Sequence, residues 1–538
     1  MRYNLIGDND LENPIKCFLS NRNITEELFH VSGKDEEDYS NYDNMQQGVE
    51  LLDKHIQNNS NILVIKDSDV DGAVSSSILI NYIRKVYNYK NIRYKIHTGK
   101  QHGLSNDITI ENDIGLVIIP DAGSNDFKQI KELKERNIDV LILDHHLCDL
   151  GYSKDAIVIN NQLSNNVMNK NLSGVGVVYK FLKALDDYLF ENKADKYLDL
   201  VSLGNVADVM DLKEKETRYY VYKGLENINN PFLKALIENN SFDLDGKYNI
   251  DKLGWVIAPK LNGTIRSGTQ EEKTEMFKAF ISDDYDYCLK VADMCKKVKQ
   301  RQDRLVKNTM EKIKDKLDFH ENDKCILYEL DKKVNRNFIG LVAQKISSIY
   351  SVPVLLYKEY EDILRGSARS CENITLDLRN DLLNSGLVTM AQGHESAFGV
   401  SFKKENELKI KEYLNELYKD KEVVSDKNYQ VDFDIDEDDV YEYWVDELAS
   451  LENECGNGID FPLVHINNIH IHITEENIKG RINIVFYIND VKIIKKYATK
   501  VLRESLMNKD SVIEIIGKPT IDSYKNKGQL EIVDLEEK

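Results

Sequence analysis

No stretch of this 538-residue chain is apolar for long enough to cross a membrane, and its start, Met1-Arg2-Tyr3-Asn4, lacks the basic-then-apolar layout of a signal peptide. The chain is therefore expected to stay where it is made, in the cytoplasm. Cysteine is scarce: seven residues, an odd number with no Cys-x-x-Cys pair. That argues against a disulfide framework or a zinc knuckle and fits reduced, mostly buried thiols. A surplus of positive charge is also missing. The formal net charge of -21 argues against a protein that coats nucleic acid non-specifically, because counterion release needs Lys and Arg at the contact face. The charge is segregated, however. Asp432 to Glu454 holds eleven acidic residues and no Lys or Arg, whereas Lys296 to Lys316 holds nine basic residues against three acidic.

With 41% apolar residues and this length, the chain has material for three or more domains. Its densest signal runs from Asn61 to Gly72, where the apolar strand Ile62-Leu63-Val64-Ile65 leads into Asp67-Ser68-Asp69-Val70-Asp71-Gly72 and then a helix expected from near Ala73. Three alternating carboxylates raise one another's pKa, so they stay ionised together only around cations. Hard oxygen donors suit Mg²⁺ or Mn²⁺. Further apolar runs, Ile92 to Ile96, Leu116 to Ile119, Val140 to Leu143 and Ala156 to Ile159, several of them separated by amphipathic stretches, predict a parallel sheet covered on both faces. Ligands collect at the carboxyl ends of such strands. Asp121 follows one run and Asp144-His145-His146 another, which delivers them to the rim that carries Asp67, Asp69 and Asp71. Asp208 stands in the apolar stretch Val201 to Met210, where a carboxylate is costly unless paired or metal-bound.

The run Asp67 to Gly72, Asp121, Asp144-His145-His146 and Ala207-Asp208-Val209 resemble, in order and spacing, the four motifs of the DHH phosphoesterase superfamily. Four further stretches resemble the RecJ single-strand exonuclease branch with its DHH-associated domain: Leu172 to Val177, Ala258-Pro259-Lys260-Leu261-Asn262, Gly366-Ser367-Ala368-Arg369-Ser370 and Gly393-His394-Glu395-Ser396-Ala397-Phe398-Gly399. Gln392 stands where that branch usually has a second Gly, Gly263-Thr264-Ile265-Arg266 where Ala-Ala-Gly-Arg is usual, and His97-Thr98-Gly99-Lys100 is shorter than the Arg-bearing loop expected there.

The expected fold is α/β: a parallel-sheet DHH catalytic domain, a smaller α/β DHH-associated domain joined to it by a long helix, and a C-terminal OB-type β-barrel. The divisions are residues 1-55, an N-terminal arm packed on the domain after it; 56-283, catalytic domain; 284-320, linker helix; 321-425, DHH-associated substrate-binding domain; 426-461, connecting segment; and 462-538, nucleic-acid-binding barrel with a helix-like Lys496 to Met507 inside.

The resemblance implies two ions, Mn²⁺ or Mg²⁺, with the mixed oxygen and nitrogen set favouring Mn²⁺. Asp121 would bridge them, Asp69 would hold one, and Asp71, His145 and Asp208 the other. Asp144 would fix the tautomer of His145, His146 would point at the phosphate, and Asp67 is left between a direct ligand and one acting through water. Arg266, Ser367, Arg369, Gly393 and His394 would grip the nucleic acid, Arg369 by a bidentate phosphate contact. The function so implied is 5′ to 3′ exonucleolytic hydrolysis of single-stranded DNA in recombination, repair or replication, with a single-strand-binding protein or a helicase as partner. The alternatives are a phosphodiesterase for short oligonucleotides or dinucleotides, which needs neither this length nor a barrel, and an inactive replication scaffold, which needs no intact carboxylate and histidine set.

Overall fold

The computed structural model describes the chain apart from residues 100, 106–107, 149, 318–319, 321–322, 335, 372–376, 394, 420–427, 471–473, 479–480, 497, 499–501, 503–505 and 507–511. Lys100, His394, the end of the strand expected over Ile469 to Ile473 and most of the helix expected over Lys496 to Met507 thus lie outside the described residues. The rest divides into two compact units, residues 5–298 with 431–538, and residues 1–4 with 299–430. No described helix is long and apolar enough to cross a membrane.

The first unit is built on five parallel strands, β1 (Asn61–Lys66), β2 (Ile92–Ile96), β3 (Ile114–Pro120), β4 (Asp139–Asp144) and β5 (Ile157–Asn160), in the order β2-β1-β3-β4-β5. The continuous apolar runs are explained by their two-sided burial. Ile62, Val64, Leu116, Ile118, Leu141 and Leu143 enter one core, while Leu63, Ile65, Val117, Ile119, Val140 and Ile142 enter the core on the opposite face. Each such side chain contributes about 1.5–3 kcal/mol by leaving water. Helices α1 (Val70–Lys85), α2 (Gly174–Leu189) and α3 (Leu198–Ala207) cover the first face.

Residues 433–537 form a seven-stranded mixed sheet in the order Phe433–Asp436, Val464–His470, Val512–Asp522, Lys527–Glu537, Val491–Lys495, Arg481–Ile488, Thr474–Ile478. Closure into an OB-type barrel is not among the described strand pairings, and we refer to it as the terminal β-domain.

Two expected divisions change. The acidic stretch read as a connector is part of this domain: Phe433–Asp436 pairs in parallel with Val464–His470, its Phe433 and Ile435 buried, its Asp434 half-buried and its Asp436 exposed, and Trp444 of the helix Glu442–Ser450 is fully buried. The N-terminal arm serves two cores. Its helix Pro14–Asn21 places Phe18 and Leu19 among Phe433, Trp444 and Val464, and Arg22 forks onto the buried Asp432 at 2.8 and 2.9 Å. Its helix Met45–Gln57 places Val49 and Leu52 against the parallel sheet. Few apolar residues suffice because each part borrows a core built elsewhere.

The acidic stretch also fastens the β-domain to the rest of its unit. Buried Arg218 donates to Glu454 at 2.5 Å, Lys247 to Glu452 at 2.7 Å, and Leu212 N to Asn457 O at 2.9 Å.

The second unit contains a five-stranded sheet in the order Val388–Gly393, Ala397–Lys403, Ile363–Arg369, Val354–Tyr360, Ile326–Glu329. The 30-residue helix Tyr285–Lys314 begins in the first unit and ends in the second. Three of the nine basic residues between Lys296 and Lys316 are held in i,i+4 ion pairs, Lys297 with Asp293, Lys299 with Asp303 and Lys307 with Glu311.

Phe18→Ala removes a ring from the β-domain core and is expected to lower unfolding free energy by about 3–5 kcal/mol, the range for a buried Phe. A urea titration checks this, since a side chain on an unpacked arm would change stability by no more than about 0.5 kcal/mol.

Candidate metal centre

Parallel pairing sets Pro120 opposite Leu143 and Asp144 opposite Asn160, so β3 and β4 release Asp121 and Asp144 at one rim, beside the turn that follows β1. In that turn Asp69 caps α1, its Oδ1 accepting from Gly72 N at 2.8 Å. The helix therefore starts at Val70 rather than near Ala73, and Asp71 falls in its buried first turn. Asp71 accepts from Gly174 N (2.6 Å) and Val175 N (3.0 Å) at the start of α2, and from Ser173 Oγ at 3.2 Å. A helix N-terminus is a natural seat for a carboxylate. Burial, with the nearby Asp69, still pushes Asp71 up to about 7.

Asp121 is the least satisfied group in the site. It lies in the left-handed region at φ 68°, a conformation that costs a non-Gly residue about 1–3 kcal/mol. It is 1% exposed, and neither carboxylate oxygen has a hydrogen-bond partner. His145 Nε2 stands 3.2 Å from its Oδ1, without hydrogen-bond alignment, and 3.6 Å from Asp208 Oδ2. Burial and then Asp71, Asp69 and Asp67 drive its pKa well above the carboxylate range. Two glycines permit the crowding. A Cβ on Gly174 would lie 2.3 Å from Asp121 Oδ1, and one on Gly204 would lie 2.5 Å from Asp71 Oδ1.

Asp208 is the C-cap of α3 rather than an interior helical residue, and burial, then Asp71 and Asp69, push it up to about 8. The imidazole of His145 is pushed down to about 4 by burial, which leaves it neutral and able to act as a ligand. Asp144 does not fix the tautomer of His145, as the sequence led us to expect. Its Oδ1 accepts from the His146 ring at 2.8 Å and from the backbone amides of His145 (2.7 Å) and His146 (3.1 Å), and its Oδ2 from Ser124 N at 3.0 Å. The two rings diverge: that of His145 turns toward Asp121 and Asp208, and that of His146 folds back onto Asp144. Burial opposes the charge on Asp144, but the His146 imidazole outweighs it and holds the carboxyl well below its usual range. The same bond raises His146 to about 9.

Donor atoms gather within 4.8 Å of one another in three groups: Asp71, His145 and Asp208; Asp121, His145 and His146; and Asp67, Asp69 and His102. The donor set fits divalent cations, because the orphaned Asp121 oxygens and the raised carboxylates lack the positive charge that an ion supplies. His102 had no motif to mark it; its one sign in the sequence is a His-Gly pair in the loop after β2. It meets Asp67 at 2.6 Å.

Of the residues assigned to nucleic-acid contact, Arg266 is exposed in the last turn of the helix Ala258–Ser267. Ser367, Arg369 and Gly393 belong to the second unit. There Arg369 pairs with Ala397 and Gly393 with Phe398, which brings both to one end of the sheet. The Arg369 guanidinium lies over the first turn of the helix Ile339–Tyr350, 2.5 Å from where a Cβ on Gly340 would sit.

Comparison with known proteins finds that residues 61–205 match the DHH family, N-terminal domain. The chain is 34% identical over 568 residues to YorK of Bacillus phage SPbeta, a candidate single-strand DNA-specific exonuclease, covering 100% of this chain and 98% of YorK. It is 28% identical over 409 residues to the single-stranded-DNA-specific exonuclease RecJ of Bacillus subtilis, covering 72% of this chain and 50% of RecJ. RecJ of Thermus thermophilus, solved in complex with Mn²⁺, superposes with a TM-score of 0.72 at 19% identity, over 92% of this chain and 72% of that one. The same protein has been solved with Mg²⁺.

A group whose folded pKa is raised stabilises the fold below its unfolded pKa and loses that contribution as pH rises through the folded one. Asp71 (about 7), Asp208 (about 8) and His146 (about 9) all act in this sense. In EDTA the melting temperature is therefore expected to fall as pH rises from about 4 to 9, the two carboxylates losing their contribution from about pH 4 and His146 from about pH 6.5. Mn²⁺ should flatten the fall, and Asp121→Asn, which removes an unpaired buried charge, should melt above the parent in EDTA. Thermal melts across that range, with and without metal, check all three outcomes.

Proposed function

We propose, from the premise that this chain belongs to the DHH family together with the YorK and RecJ proteins, that it is a metal-dependent exonuclease hydrolysing single-stranded DNA from the 5′ end. The observation that carries this reading is Asp121, a buried carboxylate with both oxygens unpartnered among Asp69, Asp71, His145 and Asp208.

Asp121 would hold two ions jointly, Asp69 one of them, and Asp71, His145 and Asp208 the other. Bound there, Mn²⁺ or Mg²⁺ supplies an activated water and neutralises charge on the phosphoryl oxygens. The protein supplies the rest. Gly174 N, Val175 N and Ser173 Oγ fix Asp71 and leave it little freedom to turn. His145, kept neutral by burial, presents Nε2 between Asp121 and Asp208. His146 is held on Asp144 through Nδ1 and is half exposed, so its Nε2 is the donor available to a phosphate oxygen. Asp144 keeps that ring charged by staying ionised itself.

Ser367, Arg369, Gly393 and His394, with Arg266, are our assignment for the strand contacts, the first four serving the 5′ phosphate. A guanidinium fork suits that group. Holding a long strand through repeated cleavages needs a further surface, which we assign to the terminal β-domain. Tyr524 is 95% exposed and Tyr487 52% exposed, with Lys525 Nζ 5.8 Å from the Tyr487 ring centroid. A stacked base contributes about 1–3 kcal/mol on such a ring. The neighbouring Lys527 pairs with Glu442 at 2.5 Å and is not part of this surface. The work belongs to recombination, repair or replication in the cytoplasm, beside a single-strand-binding protein or a helicase.

A strand carrying a 5′ phosphate is expected to shorten from that end, and Arg369→Ala to lose the preference for the phosphate before it loses hydrolysis. Gels with either end labelled decide this, and a ladder shrinking from the 3′ end reverses the assignment.

Replacing Tyr487 and Tyr524 together by Ala should leave cleavage of very short oligonucleotides near the parent's rate and release long strands early. Product distributions under single-hit conditions read this out; undiminished processivity would move strand-holding elsewhere.

A further inference from the structure

Of the three donor groups at the rim, two are made of residues that the sequence motifs mark. The third, Asp67 with Asp69 and His102, contains an imidazole that no motif marks. His102 reaches the rim because its loop is clipped onto Asp67 at two successive residues: His102 Nδ1 is 2.6 Å from Asp67 Oδ2, and Gly103 N donates to Asp67 Oδ1 at 3.1 Å. Gly103 sits at φ 57°, and a Cβ there would lie 2.1 Å from Asp126 Oδ2. The backbone beside His102 is therefore held by sterics as well as by hydrogen bonds. Its side chain is 60% exposed, so it is not placed there to fill a core.

The donor atoms of Asp67, Asp69 and His102 all lie within 4.8 Å of one another. Ligands about 2.0–2.2 Å from one ion are separated by no more than about 4.4 Å when opposite each other and by about 3 Å when adjacent, so a small closure brings the group to coordination distance. Asp69 spends one oxygen on the helix cap and keeps the other for a ligand. An independent observation places a cation demand in the same pocket: both Asp121 oxygens are buried and unpartnered, and Asp67 and Asp69 are among the charges that act on them.

We infer that His102 supplies an imidazole nitrogen to the ion held at Asp69, so that each of the two ions has its own histidine, His145 for one and His102 for the other. This rests on the metal-dependent reading above and adds a ligand to it. Its chemical consequence is selectivity. Nitrogen donors suit Mn²⁺ better than Mg²⁺, which prefers an all-oxygen shell with several waters, so a histidine on both ions tilts the whole site toward Mn²⁺.

The test uses the full-length protein loaded with Mn²⁺ and two readouts that do not involve turnover. Electron spin echo envelope modulation detects histidine nitrogen coupled to Mn²⁺, and calorimetric titration gives the affinity of each site for Mn²⁺ and for Mg²⁺. For the parent we expect nitrogen coupling at both ions. His102→Gln should keep coupling at one ion only, bind the other Mn²⁺ at least about 10–100-fold more weakly, the loss that removing even an outer partner of a metal ligand brings, and lose most of the discrimination between Mn²⁺ and Mg²⁺ at that ion. His145→Gln should show the complementary loss, with coupling kept at the ion that His102 serves. Coupling at a single ion in the parent overturns the inference without any variant. So does His102→Gln with the parent's modulation and affinities, and then His102 serves only as a hydrogen-bond partner of Asp67. A parent that binds no Mn²⁺ overturns the metal-dependent reading itself, a different outcome from either of these.

Discussion

Everything at the rim of the parallel sheet depends on one electrostatic problem: Asp67, Asp69, Asp71, Asp121 and Asp208 are crowded together, three of them buried and Asp69 and Asp208 half-buried, where water screens them poorly. Neighbouring carboxylates raise each other's pKa and burial raises it further, as Asp71, Asp121 and Asp208 show. Two remedies are visible in the protein. Some charges are given fixed donors, Asp71 at the start of α2 and Asp144 on three amides and a histidine. Asp121 is given none. A fold that leaves a fully buried carboxylate without a partner among the described residues has room there for a positive charge from outside the chain.

The backbone accepts strain to make this possible. Asp121 is held left-handed so that its carboxylate turns inward, and α2 and α3 approach closely enough to close the site because Gly174 and Gly204 carry no side chain. Rigid sheet strands supply the platform, and the segments that follow β1, β3 and β4 carry Asp67 to Asp71, Asp121 and His145 to one rim, so much of the geometry of the centre is inherited from strand register. A single-residue slip of β4 against β3 would carry Asp144 and both histidines away from Asp121 together.

The terminal β-domain and the arm show the same economy at larger scale. A run of eleven acidic residues looks like a repulsive, solvated connector. It instead carries a four-residue strand and a nine-residue helix, most of its apolar members inward, and two of its acids, Glu452 and Glu454, are consumed by Lys247 and Arg218. The first helix of the chain completes a core made by residues more than four hundred positions later. The parallel sheet and the terminal β-domain thus belong to one compact unit.

Residue pattern by itself was enough for the parallel sheet and for a rim shared by Asp69, Asp71, Asp121 and His145, because apolar runs ending in carboxylates encode strand ends locally; Asp208 joins them from the end of a helix. It was also enough for the long helix Tyr285–Lys314. Four things were decided only by the tertiary structure. They are the partner of Asp144, the arrival of His102 at Asp67, the splitting of the N-terminal arm between two cores, and the inclusion of the acidic stretch in a sheet. Each is a contact between segments distant in sequence or a choice between adjacent side chains. No local period records such a contact. His145 and His146 are neighbours with the same chemistry, and only the direction of the backbone after β4 turns one toward Asp121 and Asp208 and the other onto Asp144.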